Sequence, residues 1–206
     1  MPVLVKAKNN DDGLRKLNNV LTIAVVSLGL YLILMPLLPQ LTYWIKHLNG
    51  HTNTIPYSSN LNSEPGKNDN KAVPAENRLV LPQIDLNAEV YDGRYASTLS
   101  KGIWHRPKSS TPDKGGNTVL VAHRFTYKTP AIFYHLDKIK KDDTFALYWG
   151  GKEYDYRVRE VRVVKPTDTY IEDATDDPIL TLYTCTPMWT SKQRLVVISD
   201  LIKEPI

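Results

Sequence analysis

Residues 179–201 read ILTLYTCTPMWTSKQRLVVISDL. Two apolar runs, Ile179–Cys185 and Arg194–Leu201, flank a turn-like segment, Thr186–Gln193. Their length and content of β-branched and aromatic residues predict two strands joined as a hairpin. Upstream, Lys152–Val164 (KEYDYRVREVRVV) alternates apolar and polar residues and predicts a half-buried strand. Thr144–Trp149 (TFALYW) precedes it, and Gly150-Gly151 between the two predicts a second hairpin. Further back, Asn117–His123 (NTVLVAH) is a nearly continuous apolar run ending in a histidine, after the shorter runs Ala88–Tyr91 and Arg78–Pro82. Helical signals are brief, around Ala96–Ser100 and around Ala131–Leu136 after Pro130. Many short strands with closely spaced turns predict an all-β sandwich or barrel. The roughly 130 residues from Glu76 onward are enough for one such core.

The remaining sequence bounds what else the chain can be. Its 206 residues allow one ordinary domain plus extras. A single cysteine excludes a disulfide framework and an all-cysteine zinc site. The formal net charge of +4 is not a nucleic-acid-binding face, because it is spread unevenly. Residues 76–206 hold 19 Lys and Arg against 18 Asp and Glu, a net of +1. Most of the excess lies before residue 76, and no RNA- or DNA-binding motif accompanies it.

Val20 to Leu38 (VLTIAVVSLGLYLILMPLL) is 19 residues without a charge. As a helix it is just long enough to cross the hydrocarbon core of a membrane. Pro39–Ile45 adds Tyr43 and Trp44, an aromatic pair suited to the membrane interface. Lys6, Lys8, Arg15 and Lys16 lie on the N-terminal side, which places residues 1–19 in the cytoplasm as a short tail and the rest of the chain outside. No small-x-small cleavage site follows the run, so an uncleaved signal anchor over 20–45 is favoured over a removed signal peptide. Residues 46–75 are rich in Asn, Ser, Pro and Gly and read as a flexible linker. Residues 76–206 form the folded domain, and no second apolar span follows near the C-terminus.

Cys185 is the lone cysteine of a domain expected outside the cell, where cysteines are normally paired. A free cysteine often serves as a small buried hydrophobe. Here it ends an apolar strand, and Arg194 opens the next one, so a cation returns beside the thiol across the hairpin. A nearby cation favours the thiolate, the nucleophilic form. A thiol nucleophile also needs an acid–base partner. His47 and His51 lie in the linker, and His105 and His135 sit among charged neighbours in loop or helix surroundings and read as structural or solvated. His123 ends the run VLVAH and leads into a loop, where a strand can present a polar side chain to a cleft.

These segments, in this order, resemble the sortases, a family of membrane-anchored cysteine transpeptidases. Thr181–Cys185 (TLYTC) matches the family's TLxTC motif, and Arg194 in KQRLVV is similar to the arginine before its last strand. NTVLVAHR, residues 117–124, resembles the strand that ends in the catalytic histidine, and HLDKIKKDDTF, residues 135–145, the segment after it. The resemblance covers about residues 78–203, and the anchor fits it. It implies a sortase-like eight-stranded β-barrel with short helices, preceded by the transmembrane helix. It implies that Cys185, His123 and Arg194 are catalytic, with attack on an LPxTG-like sorting signal, a thioacyl intermediate and an amine acceptor from peptidoglycan precursor or a pilin. Thr184 is a further candidate for contact with substrate or oxyanion; as a β-branched strand residue it can equally be structural. No metal or organic cofactor is implied for the reaction itself.

The subclass stays open. The connection between the strands at 152–164 and 179–185 is too short, at about 14 residues, for the inserted helix typical of class B. TCTP at 184–187 is similar to the pilin-type class C pattern, but the linker lacks that class's Asp-Pro-aromatic lid, and IPY at 55–57 is only an echo of one. The single N-terminal anchor suits classes A, D and E. Glu172, Asp173, Asp176 and Asp177 cluster in the short connection, where some class A enzymes bind Ca²⁺; a solvated acidic loop is the favoured reading over a Ca²⁺ site. Trp189 is expected to pack or to shape access for the amine. The alternatives to a transpeptidase are a thiol hydrolase on the same residues and a membrane-tethered peptide-binding module.

Overall fold

The computed structural model describes residues 11–35, 73–126 and 131–203. The chain divides into two compact units, Met1–Thr52 and Asn53–Ile206. In the first, helix α1 (Asp11–Leu34) is 24 residues long. It starts well before Val20, because Leu14, Arg15, Lys16 and Leu17 are good helix formers that continue the pattern upstream. The most apolar 18 residues of Gly13–Leu34 have a mean hydropathy of 2.0, and none of them is buried within the protein. At 1.5 Å per residue the 22 residues extend about 33 Å, enough to cross a membrane by length and composition. Its apolar side chains face outward all round, as a helix surrounded by lipid requires. The expected interfacial stretch at 39–45, nearly all of the linker, His47, His51 and the IPY segment lie outside the described residues.

The second unit is a closed barrel of eight strands in the order β1-β2-β3-β4-β7-β8-β6-β5. The strands are β1 (Arg78–Leu81), β2 (Leu86–Asp92), β3 (Ile103–His105), β4 (Asn117–Val121), β5 (Thr144–Trp149), β6 (Lys152–Val164), β7 (Ile179–Thr186) and β8 (Gln193–Lys203). Both predicted hairpins form. Gly150 and Gly151 have φ of 57° and 75°, the left-handed pair that a two-residue hairpin turn demands, and they set Trp149 opposite Lys152. β7 pairs antiparallel with β8 over its whole length. β2 with β3, and β4 with β7, pair parallel. Closure of β1 on β5 leaves no open sheet edge.

The interior is filled by alternate residues of each strand. Leu79, Leu81, Leu120, Phe145, Leu147, Leu180, Leu182 and Val197 have no exposed surface, and Phe133 and Leu136 join them from the segment after β4. A smaller apolar cluster (Val164, Ile171, Ile179, Val196 and Ile198) covers the outer face of β7 and β8 beneath the β6–β7 connection. The alternation expected in β6 holds at Tyr156, Val158 and the exposed Arg157 and Arg159. It breaks at Tyr154–Tyr156, all buried, where the register against β8 shifts.

Three expectations need correction. β3 gives no periodic signal, being three residues between Gly102 and Arg106, yet it is a central strand held by β2 and β4. His105 is therefore a strand residue and not in loop or helix surroundings; its Nδ1 lies 2.7 Å from Asp92 Oδ1 and its Nε2 2.9 Å from the Ser110 carbonyl. β4 stops at Val121, two residues short of His123. The helical signal at Ala131–Leu136 resolves into turns followed by one 3-10 turn at Leu136–Lys138, while Ala96–Ser100 is a 3-10 helix as expected in place.

Candidate active site

The parallel pair β4/β7 positions the site. Each β4 residue faces a β7 residue, from Asn117 opposite Ile179 to Val121 opposite Tyr183. Beyond the ladder the same spacing persists. The Thr184 hydroxyl donates to the Ala122 carbonyl at 2.8 Å, and Arg124 Nη1 donates to Thr186 Oγ1 at 2.7 Å, both across 62 residues of sequence. His123 and Cys185 have the same separation and lie between these two contacts, so they are cross-strand neighbours. Neighbouring strands lie about 4.8 Å apart, and residues opposite each other point to the same face.

On the other side of β7, Cys185 stands directly opposite Arg194 on β8. β7, β8 and the segment just past the end of β4 thus bring His123, Cys185 and Arg194 into one row on the outer face of the barrel. All three are half-buried. Arg194 Nη1 donates to the carbonyls of Ser191 at 3.1 Å and Gln193 at 3.0 Å, which folds the guanidinium onto the loop before β8.

Thr184 does not join that row. It is 1 % exposed and points to the interior face, and its hydroxyl is spent on the Ala122 carbonyl. A β-strand turns successive side chains to opposite faces, so the residue beside an outward cysteine points inward. Thr184 therefore ties β7 to the end of β4.

An aromatic pair stands at the same end. Trp189, in the loop after β7, packs on Phe125, two residues past His123, with ring centroids 3.8 Å apart. Trp189 keeps a φ of 71° and is half exposed, so it packs but still presents a face to solvent.

Sequence reasoning missed the polar framework behind the row. Asn117, 3 % exposed, donates to the carbonyls of Ile171 and Asp173 and accepts from the Thr181 hydroxyl. Arg106 Nε lies 3.0 Å from both carboxylate oxygens of Glu172, and its guanidinium sits 4.5 Å over the Trp104 ring. Tyr183, two residues before Cys185, donates to Glu172 at 2.5 Å. Burial first, and then this bond to a carboxylate, push the Tyr183 phenol well above its ordinary range. Glu172 is thus a structural anchor and not part of a solvated run, while Asp173, Asp176 and Asp177 are exposed. Among the described residues no group of three or more His, Cys, Asp or Glu side chains converges to hold a metal ion. A buried Asn at a strand start and an Arg two residues past a Trp carry no motif, so only the fold reveals their partners.

Comparison with known proteins gives the family. The family model described as the sortase domain matches residues 79–202. The chain is 30% identical over 112 residues to sortase D of Bacillus subtilis, covering 53% of each chain. It is 27% identical over 125 residues to sortase A of Listeria monocytogenes, covering 61% of this chain and 55% of that one. The chain thus spans about half the length of these curated relatives. Among solved structures, sortase C of Streptococcus pneumoniae superposes with a TM-score of 0.57 at 30% identity, over 66% of this chain and 74% of that one.

Proposed function

The chain belongs to the sortase family, and on that footing we propose that it is a cysteine transpeptidase acting on surface proteins that carry an LPxTG-like C-terminal sorting signal. The observation that supports the reading is the outward row His123–Cys185–Arg194, in which Cys185 faces Arg194 across β7 and β8 and His123 lies between the contacts that tie the end of β4 to Thr184 and Thr186. In this reading the Cys185 thiolate attacks the carbonyl carbon of the Thr–Gly or Thr–Ala bond. The C–N bond breaks as the His123 imidazolium gives its proton to the leaving amine. The neutral imidazole then takes a proton from an incoming amine, which attacks the thioester, forms a new amide and releases Cys185 as thiolate. Arg194 supplies donors to the oxyanion once substrate oxygens replace the Ser191 and Gln193 carbonyls.

The chemistry runs on side chains alone and calls for no metal or organic cofactor. The acidic connection is a poor Ca²⁺ cradle, because Glu172 is already held by Arg106 and Tyr183. The helix α1 serves as a single-pass anchor, with the basic N-terminal tail in the cytoplasm and the barrel outside. The acceptor is an amine of the peptidoglycan precursor or of a pilin lysine.

A thiol hydrolase on the same residues is separated by adding an amine. The full chain in detergent, given a sorting-signal peptide and a small amine, should yield an amide product by mass spectrometry. Free acid alone, unchanged by amine, would make it a hydrolase. A peptide-binding module would keep its function in Cys185→Ala.

A further inference from the structure

His123 lies past the end of the β4 ladder, so the ladder does not hold it. Three contacts do. The Thr184 hydroxyl bonds the Ala122 carbonyl before it, the Phe133 amide donates to the His123 carbonyl at 3.0 Å, and Arg124 takes over immediately after it. Arg124 is 7 % exposed. Its Nη1 donates to Thr186, the residue after Cys185, at 2.7 Å, and its Nη2 pairs with Asp137 at 3.2 Å. Its Nε is buried with no partner.

A guanidinium held out of water with one donor unmet is a costly way to fill space; an aliphatic side chain would pack there at less cost. What the arginine supplies is direction. Its planar fork fixes the residue after His123 against the residue after Cys185, while Asp137 fixes the fork. Asp137 and Phe133 belong to the same stretch of chain, so one segment holds both His123 and its neighbour.

We propose that Arg124 is the positioning residue that sets the His123 imidazole against Cys185 through Thr186 and Asp137. The inference rests on the transpeptidase reading for its effect on turnover. An acid–base group displaced by about 1 Å costs on the order of 10²-fold in rate.

The test uses the full chain in detergent with two readouts: peptide turnover, and the rate of Cys185 alkylation by iodoacetamide against pH. The second needs no substrate, so it separates this inference from the functional one. Tyr134, beside the same guanidinium, is pushed up by burial and stays neutral in the range scanned. Arg124→Ala should lower kcat about 10²-fold with KM within a few-fold, and its alkylation profile should move to that of His123→Ala. Arg124→Lys should recover part of the loss, since one ammonium reaches one of the two partners. In the His123→Ala background, Arg124→Ala should change the profile no further. Thr186→Val, which removes a single contact, should move the profile the same way by a smaller amount and serves where Arg124→Ala does not fold. A wild-type profile in folded Arg124→Ala or in Thr186→Val, or an equal loss with and without His123, overturns the proposal. The predicted profiles without any peptide turnover would sink the transpeptidase reading and leave this one standing.

Discussion

The two ends of the β4/β7 pair are built from the same register and behave oppositely. At the end where the strands begin, polar side chains spend themselves on one another. Asn117 uses both ends of its amide and Thr181 bonds Asn117; further along, opposite the last residue of β4, Tyr183 joins Glu172 and Arg106 in a chain that reaches from β7 to the stretch after β3. At the end where the strands finish, His123 and Cys185 are half-buried side by side, with Arg194 opposite. Satisfied polar groups in a low-dielectric setting rigidify a fold. Half-buried polar side chains at a strand end stay open to an incoming substrate. Under the proposed function, the closed end is the mount and the open end the tool.

The largest effects should come from the open end. Cys185→Ala and His123→Ala should each abolish transpeptidation, a loss of about 10⁴-fold or more, with little change in denaturation midpoint. Arg194→Ala should cost about 10²–10³-fold in kcat. Product formation followed by mass spectrometry checks all three, and a near-normal rate in any one removes that residue from the catalytic row.

The closed end should answer in stability. Asn117→Ala leaves two backbone carbonyls and the Thr181 hydroxyl without their partner, which should cost about 2–3 kcal/mol. Urea midpoints would show it, with kcat in the surviving folded protein changed only a few-fold. A large kcat loss without a stability loss would erase the distinction between the two ends. Thr184→Val, which faces inward, belongs with this group and should cost about 1–3 kcal/mol for the orphaned Ala122 carbonyl.

Smaller still is the alkaline limit. Burial, and for Tyr183 also its bond to Glu172, raise the phenols of Tyr156 and Tyr183 in the folded chain. The folded state therefore holds those protons more tightly than the unfolded chain. The stability is complete below about pH 10, the ordinary phenol value, and drains away as pH rises beyond it. Tyrosinate absorbance in the native protein should lag behind that of the denatured chain; coincident titrations would contradict the buried placement. Activity titrated with Ca²⁺ and then chelator should stay flat, and a rise with Ca²⁺ would mean that the acidic connection does bind it.

Much of this was legible in the sequence. The hairpin at 179–201, the Gly150-Gly151 turn and the long alternating β6 all carry local signals of period or turn chemistry. The facing of Cys185 and Arg194 was legible because one ends an apolar run and the other opens the next. What stayed hidden is non-local. β3 is too short for a period, and His105 on it is known to be buried only from its neighbours. Glu172 looked like one acid among four until Arg106, 66 residues away, was set against it. The inward face of Thr184 follows from strand parity, once the outward direction of Cys185 is fixed. Arg124 carries no signal of its own in HRFTYK, and only the parallel register puts Thr186 within its reach.

The most direct test of the central claim is covalent capture. The full chain, incubated with LPxTG- and LAxTG-type peptides without amine, is examined by intact mass and peptide mapping. The account predicts an acyl adduct on Cys185, absent from Cys185→Ala and discharged by added amine. No adduct with any peptide, from a folded protein whose Cys185 still alkylates, would contradict it.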